Sequence, residues 1–371
     1  MNQLPRQQIR VRPLAERESQ LSIERIAVSP DGAPPVLEPR ETEQVARLVE
    51  RIRAARAAGR PVMLTYGAHL IKNGLGPVVI RLLERGWVTH VATNGAGSIH
   101  DWEFAYLGRS SEDVRTNTAC GQFGTWDETG RYINLALAVG GLDDLGYGWS
   151  VGKMITEEGL ALPGREVVRE AIALAAAQPV ATERLGALAD LLTLITTFDL
   201  PVGHLDIPHA YKQYSVQHAA YRLGIPFTVH PGIGYDIIYT HPMNSGGALG
   251  RAAVRDFLTY AGSVRELSGG VHLTIGSAIM APMIFEKSLS MSNNLSLQET
   301  GQPLADYYLA VNDIQDGGGW DWRQGEPPKN HPAYYLRFCK TFHRMGGTLD
   351  YLCLDNRAFL LALCLNLDSL D

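Results

Sequence analysis

The chain has 371 residues, of which 45% are hydrophobic and 19% are charged. This length suits about two average domains or one large α/β domain. So much apolar sequence excludes a disordered or fibrous protein, because it can form a core without disulfides or metal. The net charge is −6 and no basic stripe is present, so we expect no nucleic-acid partner.

The sequence contains neither a secretory signal nor a membrane-span pattern. Its first twenty residues lack an apolar core, and no apolar run reaches the length of about 18 residues that a membrane span needs. The cysteines form no CxxC pair and predict reduced thiols, at Cys120, Cys339, Cys353 and Cys364. We therefore expect a cytoplasmic protein without a membrane partner.

Apolar strands and amphipathic helices alternate along most of the chain. Residues 1–44 are polar and predict an N-terminal arm or a partly disordered tail. Residues 45–371 predict a single α/β domain with a helical insertion around 101–215. Strands are predicted over 61–67, 87–97, 225–234, 269–278, 306–313 and 348–356, and helices over 41–58, 75–86, 164–178, 183–197, 215–224, 248–267, 282–295, 333–346 and 358–367. This alternation predicts the α/β class with a doubly wound, mostly parallel sheet.

Small residues with a carboxylate or amide nearby follow almost every predicted strand. Examples are Gly67-Ala68, Asn94-Gly95, Gly276-Ser277 and Asp355-Asn356. Since ligands of such sheets bind at the carboxyl ends of the strands, the pattern favours a nucleotide across that edge. The alternative is that these glycines only form tight turns. The dinucleotide motif GxGxxG is not satisfied, and the Walker A, GxSxG and HExxH motifs are absent.

Two further groups of residues allow more than one interpretation. His230, Asp236 and His241 could bind a metal, but we favour hydrogen-bonded loop histidines and expect no metal. Asp313 and Asp316 share a Gly-rich loop with Asp321, Trp320 and Trp322. Such a loop could bind a cationic amine, or its carboxylates could be solvated.

A lysine lies among apolar and aromatic residues in YYLRFCKTF. Lys340 could there have a lowered pKa and act as an imine-forming nucleophile. The alternative is an ordinary solvated lysine on a helix.

Several segments, taken in order, resemble the deoxyhypusine synthase family, whose members use NAD to transfer an aminobutyl group from spermidine to a protein lysine. The resemblance covers about 60–100 and 215–365. It is carried by GAHLIKNGLGPVVIRLLERGWVTHVATNGAGSIHDWE, RLGIPFTVHPGIGYDIIYTHP, GGVHLTIGSAIMAPMIF, LAVNDIQDGGG and LDYLCLDN. The chain also resembles NAD-using ornithine cyclodeaminase domains.

The resemblance implies a Rossmann-like NAD-binding fold and a homotetramer formed as a dimer of dimers. It implies NAD contacts at Ala68, His69, Thr93, Gly95, Asp236, Gly276, Ser277, Asp316 and Asp355. The family has a lysine and paired histidines where this chain has Met280-Ala281-Pro282. Its acceptor lysine follows Trp-Gly, whereas the nearest equivalent here is Lys340. We therefore expect a divergent homologue and not a true deoxyhypusine synthase.

The leading hypothesis is an NAD-dependent transferase or lyase that acts on a small amine, a polyamine or an amino acid. Hydride transfer would give an imine, followed by aminoalkyl transfer, deamination or cyclisation. Asp313 and Asp316 would bind the ammonium group, His69 or His100 would transfer protons, and Lys340 would form an imine. The alternatives are a non-catalytic NAD-binding homologue and a metal-assisted hydrolase that uses His230, Asp236 and His241.

Overall fold

The computed structural model describes residues 2–177 and 182–369, and its internal contacts form two compact units. The first, here called the helical unit, contains Met1–Arg25, Ser98–Arg222 and Pro231–Asp256. The second, called the sheet unit, contains Ile26–Gly97, Leu223–His230 and Phe257–Asp371. The arm over 1–44 and the single domain over 45–371 follow other boundaries and stay predictions.

Strands and helices alternate in the described residues. The strands are β1 (Leu21–Ser22), β2 (Val62–Tyr66), β3 (His90–Asn94), β4 (Arg109–Ser110), β5 (Gly159–Leu162), β6 (Gly203–Asp206), β7 (Phe227–His230), β8 (Val271–Ile275), β9 (Tyr308–Asn312) and β10 (Thr348–Leu352). The helices are α1 (Ile23–Ile26), α2 (Pro39–Ala57), α3 (His69–Lys72), α4 (Gly76–Glu84), α5 (Gly95–Leu107), α6 (Val114–Ala119), α7 (Asp127–Gly140), α8 (Tyr147–Glu157), α9 (Arg165–Ala176), α10 (Thr182–Thr197), α11 (Val216–Leu223), α12 (Gly246–Arg265), α13 (Met280–Thr300), α14 (Arg337–Arg344) and α15 (Asn356–Asp368).

A six-stranded parallel sheet forms the centre of the sheet unit. Its spatial order is β10-β9-β8-β2-β3-β7, and every neighbouring pair is parallel. If the six strands of this sheet are numbered along the chain and read from β7 to β10, their order is 3-2-1-4-5-6. This is the strand order of the Rossmann fold. The order reverses between β2 and β8. The predicted doubly wound, Rossmann-like α/β fold is therefore confirmed.

Apolar side chains bury the central strands. Every residue of β2, β8 and β9 is buried, as expected for a parallel sheet covered on both faces. One core cluster contains Met63, Tyr260, Phe285, Leu309 and Phe342. Elsewhere in the sheet unit, α15 packs against α2 and α4. The sheet is thus a rigid support for the loops at its strand ends.

The helical unit has its own core, around α7, α8 and α10. Two small antiparallel sheets, β1–β4 and β5–β6, belong to it.

A buried ion pair lies in the helical unit. Arg17 and Glu103 form two hydrogen bonds, 2.7 and 2.9 Å long, and both side chains are 1% exposed. Burial alone would raise the pKa of Glu103, but the Arg17 guanidinium holds it below its usual value.

The strands and helices predicted from the sequence are present, with most ends trimmed by a few residues. The strand predicted over 87–97 ends at Asn94, because Gly95 already begins α5. Residue 178, the last of the helix predicted over 164–178, lies outside the described residues. The cysteines are free thiols, as predicted. In the described part of the chain, no helix is both long and apolar enough to cross a membrane.

Candidate functional site

The parallel strands of the sheet end at one side, here called the carboxyl edge. In a sheet of this order, ligands bind where the strand order reverses. Gly67 follows β2 at this point, and Gly276 follows β8. The Gly67 N–H donates to the Ile275 carbonyl at 3.1 Å, and a Cβ on Gly67 would stand 2.1 Å from the Gly276 carbonyl oxygen. Bare backbone therefore forms the edge at the reversal point.

Gly276 is held in a conformation that favours glycine. Its φ is +56°, in the left-handed region, and its N–H donates to the Asn312 carbonyl at 2.9 Å. A Cβ at this position would lie 3.3 Å from the Asn356 side-chain nitrogen. The backbone after β8 is thus fixed by its neighbours and remains open to a ligand that needs close approach.

The turn from β3 into α5 also depends on glycine. Asn94 Oδ1 accepts from the Gly97 N–H at 2.8 Å and caps the start of α5. A Cβ on Gly97 would stand 2.1 Å from Thr93 Oγ1, so glycine lets the helix pack closely on the strand. Close helix–strand packing is the role of the third glycine in dinucleotide-binding turns. Thr93 is itself buried, and its hydroxyl donates to the Tyr66 carbonyl at 3.0 Å.

Two more helices begin at the carboxyl edge, each with a side chain before it that accepts hydrogen bonds from its first turn. Ser277 Oγ accepts from the Ala281 N–H at 3.2 Å at the start of α13. Asp355 Oδ1 accepts from the Arg357 and Ala358 N–H groups, at 2.9 and 3.2 Å, at the start of α15. The positive ends of α5, α13 and α15 thus follow strands of one sheet, as phosphate-binding folds require.

Asn312, the last residue of β9, presents a buried acceptor without a donor. Its Nδ2 donates to the Leu354 carbonyl at 3.2 Å and to Asn356 Oδ1 at 3.1 Å. These bonds fix the amide orientation, and Oδ1 has no partner among the described residues. A buried acceptor left unpaired costs about 1–3 kcal/mol, so a ligand N–H at this point would be favourable.

An acidic loop, here Asp313 to Gly319, follows Asn312. Asp313 Oδ1 accepts from the Gln315 N–H at 3.1 Å, and Asp316 Oδ1 accepts from the Gly318 N–H at 2.7 Å. Burial, Asp316 and Asp313 together raise the pKa of the Cys353 thiol. A region that disfavours an anion in this way favours a cation such as an ammonium group.

The tryptophans and the third aspartate of this segment have structural partners. Trp322 is buried, and Trp320 Nε1 donates to the Gly325 carbonyl at 2.9 Å. Asp321 pairs with Arg323 at 2.8 and 3.0 Å, and this guanidinium lowers the pKa of Asp321 to about 2. Asp313 and Asp316 are therefore the carboxylates of this segment that lack a cationic partner in the described structure.

Comparisons with known proteins do not show a family. No family model matches the chain, and no curated protein matches it. Unliganded AgrE matches with a TM-score of 0.44 and 16% identity over 91% of this chain and 34% of AgrE. ArgZ, an arginine dihydrolase from the ornithine–ammonia cycle in cyanobacteria, matches with 0.40 and 13% over 88% of this chain and 33% of ArgZ. A Methanococcus maripaludis S2 protein described as LOR/SDH matches with 0.44 and 12%, over 92% of this chain and 74% of that protein.

This chain spans about a third of the length of AgrE and of ArgZ. AgrE has also been crystallised as a ternary complex with ornithine and NAD+. At TM-scores below 0.5, these likenesses decide neither the family nor the activity of this chain. The resemblance to deoxyhypusine synthase stays a prediction.

Most of the predicted site residues belong to the sheet unit. The structure brings to its carboxyl edge the residues Ala68, His69, Thr93, Gly95, Gly276, Ser277, Asp313, Asp316 and Asp355. His69 is exposed and begins the short helix α3. Lys340 lies on α14, where its Nζ stands 3.6 Å from the centroid of the Tyr334 ring. This cation–π contact uses lysine as a cation, and a role in imine formation stays a prediction.

Two predicted residues belong to the helical unit. His100 Nδ1 lies 2.7 Å from Ser110 Oγ, in the cluster around Glu103. Asp236 is 5% exposed, and its Oδ2 accepts from the Gly232 N–H at 2.9 Å. Burial raises the pKa of Asp236 to about 6.

The histidines considered as metal ligands have other partners. His241 Nε2 lies 3.1 Å from Asp127 Oδ1, and its Nδ1 accepts from the Met243 N–H. His230 lies at the end of β7 with Nε2 3.1 Å from Thr228 Oγ1. Over 2–177 and 182–369, no three His, Cys, Asp or Glu side chains are grouped as metal ligands would be. The metal-assisted hydrolase stays a prediction.

The sequence places Asn94 and Asn356 after predicted strands, but it does not single out Asn312 or indicate what these amide side chains do. Asn94, Asn312 and Asn356 cap helices or join strand ends. Only their positions directly after apolar runs hinted at this, since the hydrogen bonds of Asn312 connect residues more than forty positions apart.

Proposed function

We propose that the protein is an NAD-dependent enzyme that acts on a small amine or amino acid at the carboxyl edge. One observation carries the proposal. The strand order reverses between β2 and β8, and the bare backbone of Gly67 and Gly276 borders that point. This is where Rossmann folds bind dinucleotides, which need close backbone approach.

The donor and acceptor groups at the edge fit such a cofactor. The N-termini of α5 and α13 suit a pyrophosphate, which accepts hydrogen bonds and carries negative charge. The orphaned Oδ1 of Asn312 suits a carboxamide N–H, and nicotinamide carries that group. The residues that would hold the cofactor are Ala68, His69, Gly95, Gly276, Ser277, Asp316 and Asp355, with Thr93 and Asn94 shaping the turn between them.

A bound nicotinamide ring would supply a hydride acceptor. The chain's own groups bind and orient the second reactant. In both Asp313 and Asp316, one carboxylate oxygen accepts a hydrogen bond from a backbone N–H. The other oxygen has no partner among the described residues. The free oxygens suit an ammonium group, whose attraction to carboxylate strengthens as water is excluded. Exposed His69 would accept a proton from the substrate.

Oxidation of the amine carbon gives an imine. Attack by water, by a group of the same molecule or by another amine then releases ammonia or an amine, and return of the hydride completes a cycle with no net oxidation. The activity would accordingly be that of a transferase or lyase, with polyamines among the candidate substrates. We also propose that the protein is a homotetramer, formed as a dimer of dimers. Light scattering of the purified protein tests its mass in solution.

Two experiments test this function. Calorimetric titration measures NAD binding, and the absorbance at about 340 nm reports cofactor reduction when a panel of amines is added. We expect saturable NAD binding, and a rise in absorbance with at least one amine or amino acid. Asp313→Asn should weaken the amine response without changing NAD binding, since Asp313 is not among the residues that would hold the cofactor. Absence of NAD binding to the folded wild-type protein would exclude the proposed function.

A non-catalytic NAD-binding homologue is the second candidate. After β8, the chain has Met280, Ala281 and Pro282, and the latter two are buried. None of these side chains can transfer a proton. This candidate predicts NAD binding with no product from any amine, by absorbance or by mass spectrometry.

A further inference from the structure

A continuous hydrogen-bonded chain of four side chains crosses the sheet unit. Ser263 Oγ on α12 lies 2.8 Å from Nδ1 of His90, the first residue of β3. His90 Nε2 lies 3.0 Å from Thr228 Oγ1 on β7. The same hydroxyl lies 3.1 Å from Nε2 of His230, the last residue of β7. We call Ser263, His90, Thr228 and His230 the polar chain.

The two ends of the polar chain lie at opposite edges of the sheet. Ser263 is half-buried and lines a surface depression together with Pro61 and Thr89, which directly precede β2 and β3. His230 is 9% exposed and pairs in register with Asn94 at the carboxyl edge. Between them, His90 and Thr228 are 0% and 1% exposed. The chain therefore connects the amino edge to the carboxyl edge through the protein interior.

Both imidazole rings are neutral at physiological pH. Burial, followed by the nearby His230 and His272, lowers the pKa of His90 to about 3. Burial lowers the pKa of His230 to about 3 as well. A neutral ring has one N–H and one lone pair, and a hydroxyl both donates and accepts. The four groups can thus be ordered in either direction along the chain.

Tyr260 holds the two rings in place without joining the polar chain. Its ring meets His90 and His230 edge-on, with centroid distances of 5.5 and 5.3 Å. Its hydroxyl is 2.7 Å from His272 Nε2. Because Tyr260 is fully buried, its ring excludes water beside the chain and fixes the donor–acceptor geometry.

We propose that the polar chain conducts a proton between the carboxyl edge and the depression at the amino edge. This inference rests on the proposed function, because oxidation of an alkylammonium to an iminium releases one proton besides the hydride that a nicotinamide-type acceptor takes. A ligand bound over the carboxyl edge covers the direct route to water. The polar chain provides a second exit.

The transfer conserves every atom and involves no oxidation within the protein. His69 passes the proton that it takes from the substrate, through water at the carboxyl edge, to Nδ1 of His230, and His230 releases the proton on its Nε2 to Thr228 Oγ1. The Thr228 hydroxyl proton passes to His90 Nε2, and the His90 Nδ1 proton passes to Ser263. Ser263 releases its own hydroxyl proton to water, so one proton leaves for each one taken up.

The tautomers of the two rings test the chain in the wild-type protein without any substrate. Since the single Thr228 proton can point to only one ring, a conducting chain requires opposite tautomers. One ring carries its proton on Nε2 and the other on Nδ1. Long-range ¹H–¹⁵N NMR of histidine-labelled protein reports this directly. Opposite tautomers are expected, and the same tautomer in both rings would overturn the proposal.

Substitutions at Thr228 test whether the chain serves the reaction. Thr228→Val removes the hydroxyl at nearly constant volume and should lower kcat for amine oxidation by about 100-fold, with KM and NAD affinity unchanged. The solvent deuterium isotope effect on kcat should rise. Thr228→Ser restores the hydroxyl and should recover most of the rate. Ser263→Ala, at the half-buried outer end, should also lower kcat.

The outcomes separate the two proposals. Equal kcat for folded Thr228→Val and Thr228→Ser would overturn proton conduction and leave the proposed function intact. If wild-type protein binds no NAD, the proposed function fails, and the tautomer measurement still decides whether the chain is ordered for conduction. If Thr228→Val does not fold, the tautomer measurement on the wild-type protein tests the proposal instead.

Discussion

Gly67 and Gly276 approach so closely that a Cβ on Gly67 would stand 2.1 Å from the Gly276 carbonyl oxygen. The contact joins the ends of β2 and β8, the two strands between which the sheet order reverses. A backbone atom cannot yield as the tip of a side chain can. The shape of the proposed cofactor site therefore depends on glycine at position 67.

Gly67→Ala should destabilise the protein by roughly 1–3 kcal/mol, because the new methyl group pushes β2 and β8 apart. It should also weaken NAD binding. Gly262→Ala is a matched control, since a Cβ on this α12 residue meets nothing within 4 Å. Alanine there should be neutral or stabilising by up to about 1 kcal/mol. Thermal melts of both variants measure the difference, and equal melting temperatures would contradict the close approach.

Asp316→Asn should raise KM for the amine about tenfold or more, because a charge-assisted hydrogen bond contributes about 1.5–3 kcal/mol. Asparagine keeps the acceptor that binds the Gly318 N–H, so the loop should hold its shape. Asp321→Asn is the control in the same segment, since Arg323 already occupies that carboxylate. Steady-state kinetics with one amine compares them. An unchanged KM in Asp316→Asn would remove this carboxylate from substrate binding.

Asp236 gives the helical unit a pH-dependent stability. Its folded-state pKa of about 6 lies above the ordinary value of 3.8, because burial disfavours the ionised form. The stability from the protonated carboxyl is thus complete below about pH 4 and is lost as the pH rises through about 6. The difference corresponds to about 3 kcal/mol.

Asp236→Asn should therefore raise the melting temperature at about pH 8 and leave it nearly unchanged at about pH 4. Asparagine can still accept the Gly232 N–H bond. Glu170→Gln, at an exposed position on α9, is the control variant. Scanning calorimetry measures the melting temperatures at both pH values. A lower melting temperature of Asp236→Asn than of the wild-type protein at the higher pH would contradict the raised pKa of Asp236.

Arg17→Met should be among the most destabilising changes in the helical unit. It leaves the Glu103 carboxylate buried without its guanidinium, which typically costs about 3–5 kcal/mol. Arg169→Met removes a surface pair with Glu166 and should cost less than about 1 kcal/mol. Denaturant melts followed by circular dichroism compare the two variants. Similar midpoints would mean that the buried pair is not formed.

The sequence predicts the elements of the fold well, because their signals are local. Apolar runs such as 61–67 mark buried strands, and Gly59 and Gly86 follow the helices that they end. The spatial order of the strands is not local information. β8 lies beside β2 because of the side on which each connection crosses the sheet. No residue in these connections indicates that side.

The site could be predicted only in part, for a related reason. Gly276 and Ser277 were found because small residues after a strand are visible in the sequence. Asn312 was not singled out, since its value as an orphaned acceptor depends on Leu354 and Asn356. His90 lies inside the strand predicted over 87–97, and only the pairing of β3 with β7 brings it within 3.0 Å of Thr228.

The most direct test of the central claim is hydrogen–deuterium exchange of the wild-type protein with and without NAD. We expect slower exchange on NAD addition at the strand ends of the sheet unit, in segments that contain residues 67–70, 94–98, 276–281 and 312–318. Segments of α7 and α10 should be unaffected. Protection confined to other segments, or no protection at saturating NAD, would contradict a dinucleotide site at the carboxyl edge.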